Sequence, residues 1–235
     1  MSANDYPYEE GGYTLYSYAK CPYAQRALRA LYAANVQHKH VEIDLANRPS
    51  WYGQVNPHLK VPALRTPNGT VLIESLVISE YIADAFPDSG LLPTDALERA
   101  HMRLFIDVFS THIVPNIYAT LRAATREDQE RCKRLLEEGI AMASRELVKQ
   151  WQRCKTRGPL WLGSTVSLAE IDTISFVNQL AGPAHWRGFA VPQTQEFAAF
   201  NEWVDAFSRH PVYMKFSVPD KDVADVIRFY VPEAN

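Results

Sequence analysis

Cysteine is scarce in this chain. Cys21, Cys132 and Cys154 are the only three in 235 residues, and they lie far apart. An odd, sparse set excludes a disulfide framework and suits a reducing compartment. No His/Cys spacing resembles a zinc site, so no metal is expected. Excess charge is lacking too. Lys plus Arg number 24 against 27 Asp plus Glu, for a net charge of −3. That balance gives no electrostatic case for nucleic acid or for stable membrane association. No apolar run reads as long enough to span a bilayer. The first residues, Met-Ser-Ala-Asn-Asp-Tyr-Pro, are polar and acidic and do not read as a signal peptide, so a cytoplasmic protein is expected. Internal repeats and low-complexity segments are missing as well. What is present is 47% hydrophobic and 22% charged, the composition of a globular protein. The length suits one large domain or two smaller ones.

The two parts of the chain read differently. Residues 13–87 alternate strand and helix. Tyr13 to Tyr18 is rich in aromatic and β-branched residues and predicts a strand. Residues 22–34 are strong helix formers, with Ala24, Leu28 and Leu31 near one face. His38 to Leu45 alternates as a second strand, with His38 and His40 on one exposed face. Pro49 to Gln54 suggests a short helix. Pro62 to Arg65 and Thr70 to Ile73 predict a hairpin about Pro67-Asn68-Gly69. Ser75 to Phe86 is a helix ended by Pro87. The order is β-α-β-α-β-β-α, with the first two strands parallel and the hairpin antiparallel.

Phe86 to Ala96 has the Pro and Gly density of a linker. Beyond it the pattern is helical. Ala96 to Arg122 and Glu127 to Cys154 are long periodic segments, and Pro115 should kink the first. Ser167 to Leu180 opens on Ser167-Leu-Ala-Glu170, a capping box, with Val166 and Ile171 where a staple would pack. Gln195 to Arg209 and Asp220 to Phe229 are shorter helices. The Gly182-Pro-Ala-His-Trp-Arg-Gly188 stretch reads as a lid or an irregular connector.

The segment Tyr13-Thr-Leu-Tyr-Ser-Tyr-Ala-Lys-Cys-Pro-Tyr-Ala-Gln-Arg26 carries the most chemistry. A strand runs into Cys21, and Pro22 opens a helix directly behind the sulfur. A free thiol ionises near 8.5, so roughly 3% is thiolate at pH 7. Helix N-terminal N–H groups favour the anion, and Lys20 and Arg26 can add to that. A fall to about 6 would make roughly 90% thiolate and needs about 3.4 kcal/mol. The sequence therefore predicts an ionised Cys21. The bland alternative, an inert buried cysteine, suits Cys132 and Cys154 on their helices better.

These residues resemble the cytosolic glutathione transferases, and the omega class most closely. The resemblance rests on Cys21-Pro-Tyr-Ala-Gln-Arg26, Asn47-Arg-Pro-Ser-Trp51, Asn56-Pro57, Val61-Pro-Ala-Leu64, Glu74-Ser75 and the capping box at Ser167. It implies a thioredoxin-like βαβαββα N-terminal domain over residues 1–87 and an all-helical domain over 95–235. It also implies a glutathione site in the first domain, a second-substrate site in the cleft, and usually a homodimer. Cys21 is then the catalytic thiol of glutathione-dependent thiol transfer, with dehydroascorbate reduction and reductive cleavage of glutathionyl adducts among the implied activities. The motif is monothiol: no second cysteine follows two residues on.

Glutathione offers an ammonium, two carboxylates and a thiol. Glu74 can accept from the γ-glutamyl ammonium while Ser75 and the helix N–H groups hold its carboxylate. Taken alone, Ser75 is a plain N-cap beside an exposed Glu. Val61-Pro62 matches the cis-proline of thioredoxin-like folds, where the preceding backbone pairs with the cysteinyl unit. Arg48 stands where the family has a lysine for the glycine carboxylate, and Lys60 is its rival. Tyr23 flanks the thiol or is simply a half-buried aromatic. On the helices, His101, Phe105, Phe109 and Tyr118 are candidates for an aromatic second substrate, although a core stripe at helical spacing is the safer reading there. Two alternatives stay open. One is conjugation by a Tyr or Ser hydroxyl among Tyr16, Ser17 and Tyr18. The other is a ligandin-type carrier of hydrophobic aromatic compounds.

Overall fold

The computed structural model describes residues 6–154 and 158–232. The chain divides into two compact units, Met1–Leu92 and Pro93–Asn235.

The first unit is a thioredoxin-like sheet with helices. Its elements run β1 (Tyr13–Ser17), α1 (Pro22–Ala33), β2 (His38–Glu42), α2 (Tyr52–Val55), β3 (Ala63–Arg65), β4 (Val71–Ile73) and α3 (Ser75–Ala85). The sheet order is β2-β1-β3-β4. β1 pairs with β2 in parallel, Leu15 opposite His40, and with β3 antiparallel, Leu15 opposite Leu64. β3 and β4 form the expected hairpin, closed by Gly69 at φ +90°. The central strand β1 is covered on both faces, so Leu15 and Tyr16 have no exposed surface. One face packs against α1 and α3 through Ala27, Leu31, Ile78 and Ile82, all fully buried. The other carries an aromatic nest of Tyr6, Tyr16, Trp51 and Tyr52. The short helix begins at Tyr52 rather than at Pro49, so Tyr52 enters the nest. His40 is exposed beside Glu42 at 3.1 Å, as its place on β2 suggests.

The second unit is built from α4 (Ala96–Val108), α5 (Val114–Arg122), α6 (Arg126–Arg153), α7 (Leu168–Gln179), α8 (Ala181–Arg187), α9 (Ala198–Ser208), α10 (Pro211–Met214) and α11 (Asp220–Val226). Between α4 and α5 the backbone widens into a π turn, Phe109–Ile113. Pro115 is the cause: it lacks an N–H and its ring crowds the carbonyl four residues back. Asn116 Nδ2 donates to the His112 carbonyl at 2.7 Å. Gly139 of α6 lets that turn approach, because a Cβ there would lie 2.9 Å from the His112 carbonyl oxygen. The core is a cluster of Phe105, Phe109, Trp161, Phe200 and Trp203.

Two expectations are corrected here, and one further element is added. The run Ala96–Arg122 is long and apolar enough to cross a membrane by length and composition. Pro115 divides the run in the sequence pattern, whereas the chain stays helical through it. Its apolar residues Met102, Phe105, Phe109, Ile113 and Ile117 are buried in the unit's core. The stretch 182–188 is neither lid nor irregular connector. It is α8, ended by Gly188 at φ +62° and tied down by Trp186 Nε1 on the Ala224 carbonyl at 3.0 Å. The helix α10 leaves no mark in the sequence, because its four residues show no helical period.

Candidate functional site

A cavity of about 380 Å³ opens in the first unit. Cys21, Tyr23, Arg48, Lys60, Val61, Pro62, Glu74 and Ser75 line it, with Leu45, Asn56 and Leu59. The structure thus brings together all eight residues expected there. Leu45 and Leu59 carry no signal in the sequence that marks them for the wall, and Asn56 appears there only in the Asn56-Pro57 motif, with no site role attached.

Cys21 is the N-cap of α1 and makes no side-chain cap bond to the backbone by ordinary geometry. Its approach loop is held tightly. Cys21 N donates to the Tyr18 carbonyl at 2.9 Å, Gln25 Nε2 to the Ala19 carbonyl at 3.0 Å, and Ala19 N to Glu42 Oε1 at 2.9 Å. The residue is partly exposed, but it packs against the aromatic nest. Burial therefore pushes the thiol up, opposed by the N–H groups of Ala24 and Tyr23 and by the Arg26 charge. This corrects the expectation of an ionised thiol in the free protein. Helix donors and a cation are present as predicted, but desolvation against the nest outweighs them.

Val61 and Pro62 are joined by a cis bond. The turn before them is clamped by three side chains. Tyr52 Oη and Asn56 Nδ2 both donate to the Lys60 carbonyl at 2.7 Å. Arg48 Nε donates to the Leu59 carbonyl at 3.0 Å. Arg48 is therefore a loop tie as well as a wall residue. Tyr52 is fully buried, and burial raises its phenol far above the ordinary value.

The opposite wall is the start of α3. Glu74 is its N-cap, at φ +70° and ψ 117°, a backbone conformation that non-glycine residues rarely hold. No side-chain hydrogen bond from Glu74 caps the helix. Ser75 is buried and its Oγ accepts from Arg26 Nη1 at 3.2 Å. Two helix starts thus bring their donors to one cavity that also holds a thiol, with Arg48 and Lys60 in its wall. The arrangement can hold a ligand bearing carboxylates and present a sulfur to it.

The hydroxyl alternatives fare differently. Tyr16 and Ser17 are fully buried, and neither lines the cavity. Tyr16 Oη donates to the Pro7 carbonyl at 2.8 Å, and burial raises its phenol far above the ordinary value. The helical candidates divide as well. Phe105 and Phe109 are fully buried in the aromatic core of their unit, which leaves them no surface for a ligand. His101 and Tyr118 are partly exposed, and Tyr118 packs on Tyr230 at 4.9 Å between ring centroids. Among the described residues, no group of three His, Cys, Asp or Glu is placed to hold a metal ion.

Comparison with known proteins places this geometry. Residues 15–90 match the family described as glutathione S-transferase, N-terminal domain. Glutathione S-transferase omega-1 of Mus musculus is 27% identical over 236 residues, covering 99% of this chain and 92% of that relative. The omega-1 protein of Rattus norvegicus is 35% identical over 137 residues, which span 58% of this chain and about half, 56%, of that relative. Among solved structures, glutathione transferase Omega 3C from Trametes versicolor superposes with a TM-score of 0.80 at 25% identity, covering 97% of this chain and 92% of that one.

Proposed function

Because residues 15–90 match the glutathione S-transferase N-terminal domain and the chain resembles omega-class proteins along its length, we propose that it is a glutathione transferase that catalyses glutathione-dependent thiol transfer through Cys21. The observation that carries this reading is the shared cavity. It sets a cysteine at one uncapped helix start against Glu74 and Ser75 at another. Glu74 takes the γ-glutamyl ammonium, and Ser75 with the α3 N–H groups takes its carboxylate. The Val61 backbone meets the cysteinyl unit, and Arg48 or Lys60 the glycine carboxylate.

In the cycle, the Cys21 thiolate attacks the glutathione sulfur of a mixed disulfide, GS–SR. The Cys21–SG bond forms, the GS–SR bond breaks, and RS⁻ leaves to take a proton from water. A second glutathione thiolate then attacks Cys21–SG. GSSG leaves and the Cys21 thiolate is restored, so one mixed disulfide is reduced and its glutathione ends in GSSG with the second one. Burial keeps most of the free thiol protonated. The Tyr23 and Ala24 N–H groups therefore act where charge develops, on the attacking sulfur and again on the leaving one. Reduction of dehydroascorbate, with the Cys21 thiolate and a glutathione thiol as the two-electron donor, and cleavage of a glutathionyl adduct, by Cys21 attack on its sulfur with a protonated carbon leaving, both end in Cys21–SG, which a further glutathione resolves to GSSG. A homodimer and a cytoplasmic location belong to this reading.

The test is a paired assay of mixed-disulfide reduction and aryl-halide conjugation. Reduction should dominate and vanish in Cys21→Ala, and intact mass after GSSG treatment should show one glutathione on Cys21. Conjugation that dominates and persists in Cys21→Ala overturns the reading.

One observation favours a second role, carriage of aromatic compounds by the helical unit. Phe229 is 73% exposed and packs on Tyr230, which meets Tyr118 beneath the Arg122 guanidinium. Binding of an aromatic dye that survives Cys21→Ser but is lost in Tyr118→Ala would establish it.

A further inference from the structure

Arg26 lies just over one helical turn beyond Cys21 on α1 and is 3% exposed. Burial of a guanidinium is costly, so its contacts carry information. It reaches across to α3, where Nη1 donates to Ser75 Oγ at 3.2 Å. It also lies 5.7 Å from the centroid of the Tyr23 ring, beside the thiol turn. One buried cation thus touches both halves of the cavity.

We propose that Arg26 is a positioning residue that couples the thiol turn to carboxylate recognition by holding the Ser75 hydroxyl as a donor. The inference rests on the glutathione reading for the identity of the ligand. Its logic is the arithmetic of one hydroxyl. Serine offers one proton and two lone pairs. A guanidinium only donates, so at this contact the serine oxygen must accept. The hydroxyl proton is then left for an acceptor in the cavity, and the γ-glutamyl carboxylate supplies one. A donor that itself accepts from a cation is polarised and binds an anion more strongly. The Arg26 charge also favours the Cys21 anion. A lysine at the same place would keep the charge but lose the rigid fork that fixes Ser75.

The experiment compares two non-reactive ligands. One is S-methylglutathione. The other is its analogue with 4-aminobutyrate in place of the γ-glutamyl residue, which lacks only that carboxylate. Titration calorimetry reads the affinity ratio for the unsubstituted protein, Arg26→Lys, Arg26→Gln and Ser75→Ala. The unsubstituted protein should prefer the carboxylate by about tenfold or more. The preference should shrink to about twofold in all three variants, and adding Ser75→Ala to Arg26→Gln should change it little. The pH profile of Cys21 alkylation by iodoacetamide should move up by about one unit in Arg26→Gln and return in Arg26→Lys. Should Arg26→Gln fail to fold, Arg26→Lys and Ser75→Ala decide the matter through the affinity ratio. Full carboxylate preference in Arg26→Lys overturns the inference and leaves the glutathione reading standing. Failure of the unsubstituted protein to bind S-methylglutathione overturns both.

Discussion

In the helical unit, the helices α4, α6 and α7 start under side-chain caps. Asp95 accepts from Leu97 N and Glu98 N, Thr125 from Asp128 N, and Ser167 with Glu170 forms a capping box. In the sheet unit, α1, α2 and α3 start without one, as do α5, α8, α9 and α11 of the helical unit. A cap consumes the orphan donors of a helix start and is worth about 1 kcal/mol. Leaving them open forgoes that stability and keeps the donors for whatever enters the cavity. The starts of α1 and α3 lie on the cavity that holds Cys21. Glu170 is the extreme of the closed kind. It is fully buried and accepts from Trp161 N at 2.7 Å, Trp203 Nε1 at 2.9 Å, Ser167 N at 2.9 Å and Ser167 Oγ at 2.8 Å.

The sharpest way to break the comparison is Cys21→Ser, which closes an open start. Thiol transfer should fall by roughly a thousandfold or more, since the nucleophile is gone. Yet the thermal midpoint should rise, because serine caps a helix better than cysteine, by about 0.5–1 kcal/mol. A midpoint that falls would mean the start of α1 was not open. Next in size is Glu170→Ala. It orphans buried donors on Trp161, Trp203 and Ser167 and should cost about 3 kcal/mol in denaturant unfolding. Tyr52→Phe removes one of the two donors on the Lys60 carbonyl. It should raise the KM for glutathione about fivefold with kcat nearly unchanged, as a loosened loop would. Thr125→Ala takes away an ordinary cap. It should cost about 1 kcal/mol and leave thiol transfer alone, in contrast to Cys21→Ser.

The pH response is the smallest effect. Burial raises the Cys21 thiol, so iodoacetamide alkylation of the free protein should rise with pH to a midpoint above about 8.5. The sign for stability follows. The folded state keeps this proton after the unfolded chain has lost it. The contribution is therefore present below the unfolded value and is lost as pH rises toward the folded one. A midpoint near 6 would restore the ionised thiol that the sequence suggests.

Much of the site was legible because its chemistry is local. Cys21-Pro22 and Glu74-Ser75 each declare a helix start in two letters, and Val61-Pro62 declares a restricted backbone. The element order followed from period and turn residues, down to the hairpin at Gly69. What escaped was set by packing. Nothing in the alternation of β1 or in the short helix α2 shows that Tyr16 and Tyr52 join a nest that dries the sulfur. Without that nest in view, helix donors and nearby cations point the thiol's shift in the wrong direction. Gln25, Arg26 and Arg29 read as the polar side of an amphipathic α1, yet all three are buried. The π turn likewise needed Pro115 and Gly139 to be seen side by side, though they lie 24 residues apart in the chain.

Glu74 lines the cavity from a φ of +70°, where glycine would rest at ease. Such a backbone stores about 1–3 kcal/mol. Glycine at this position would release that tension and, on the proposed reading, would remove the carboxylate that meets the γ-glutamyl ammonium. Endurance and discernment therefore pull one residue in opposite directions. If the proposed glutathione reading holds, the glutamate is where the molecule keeps a strained backbone for the sake of recognition.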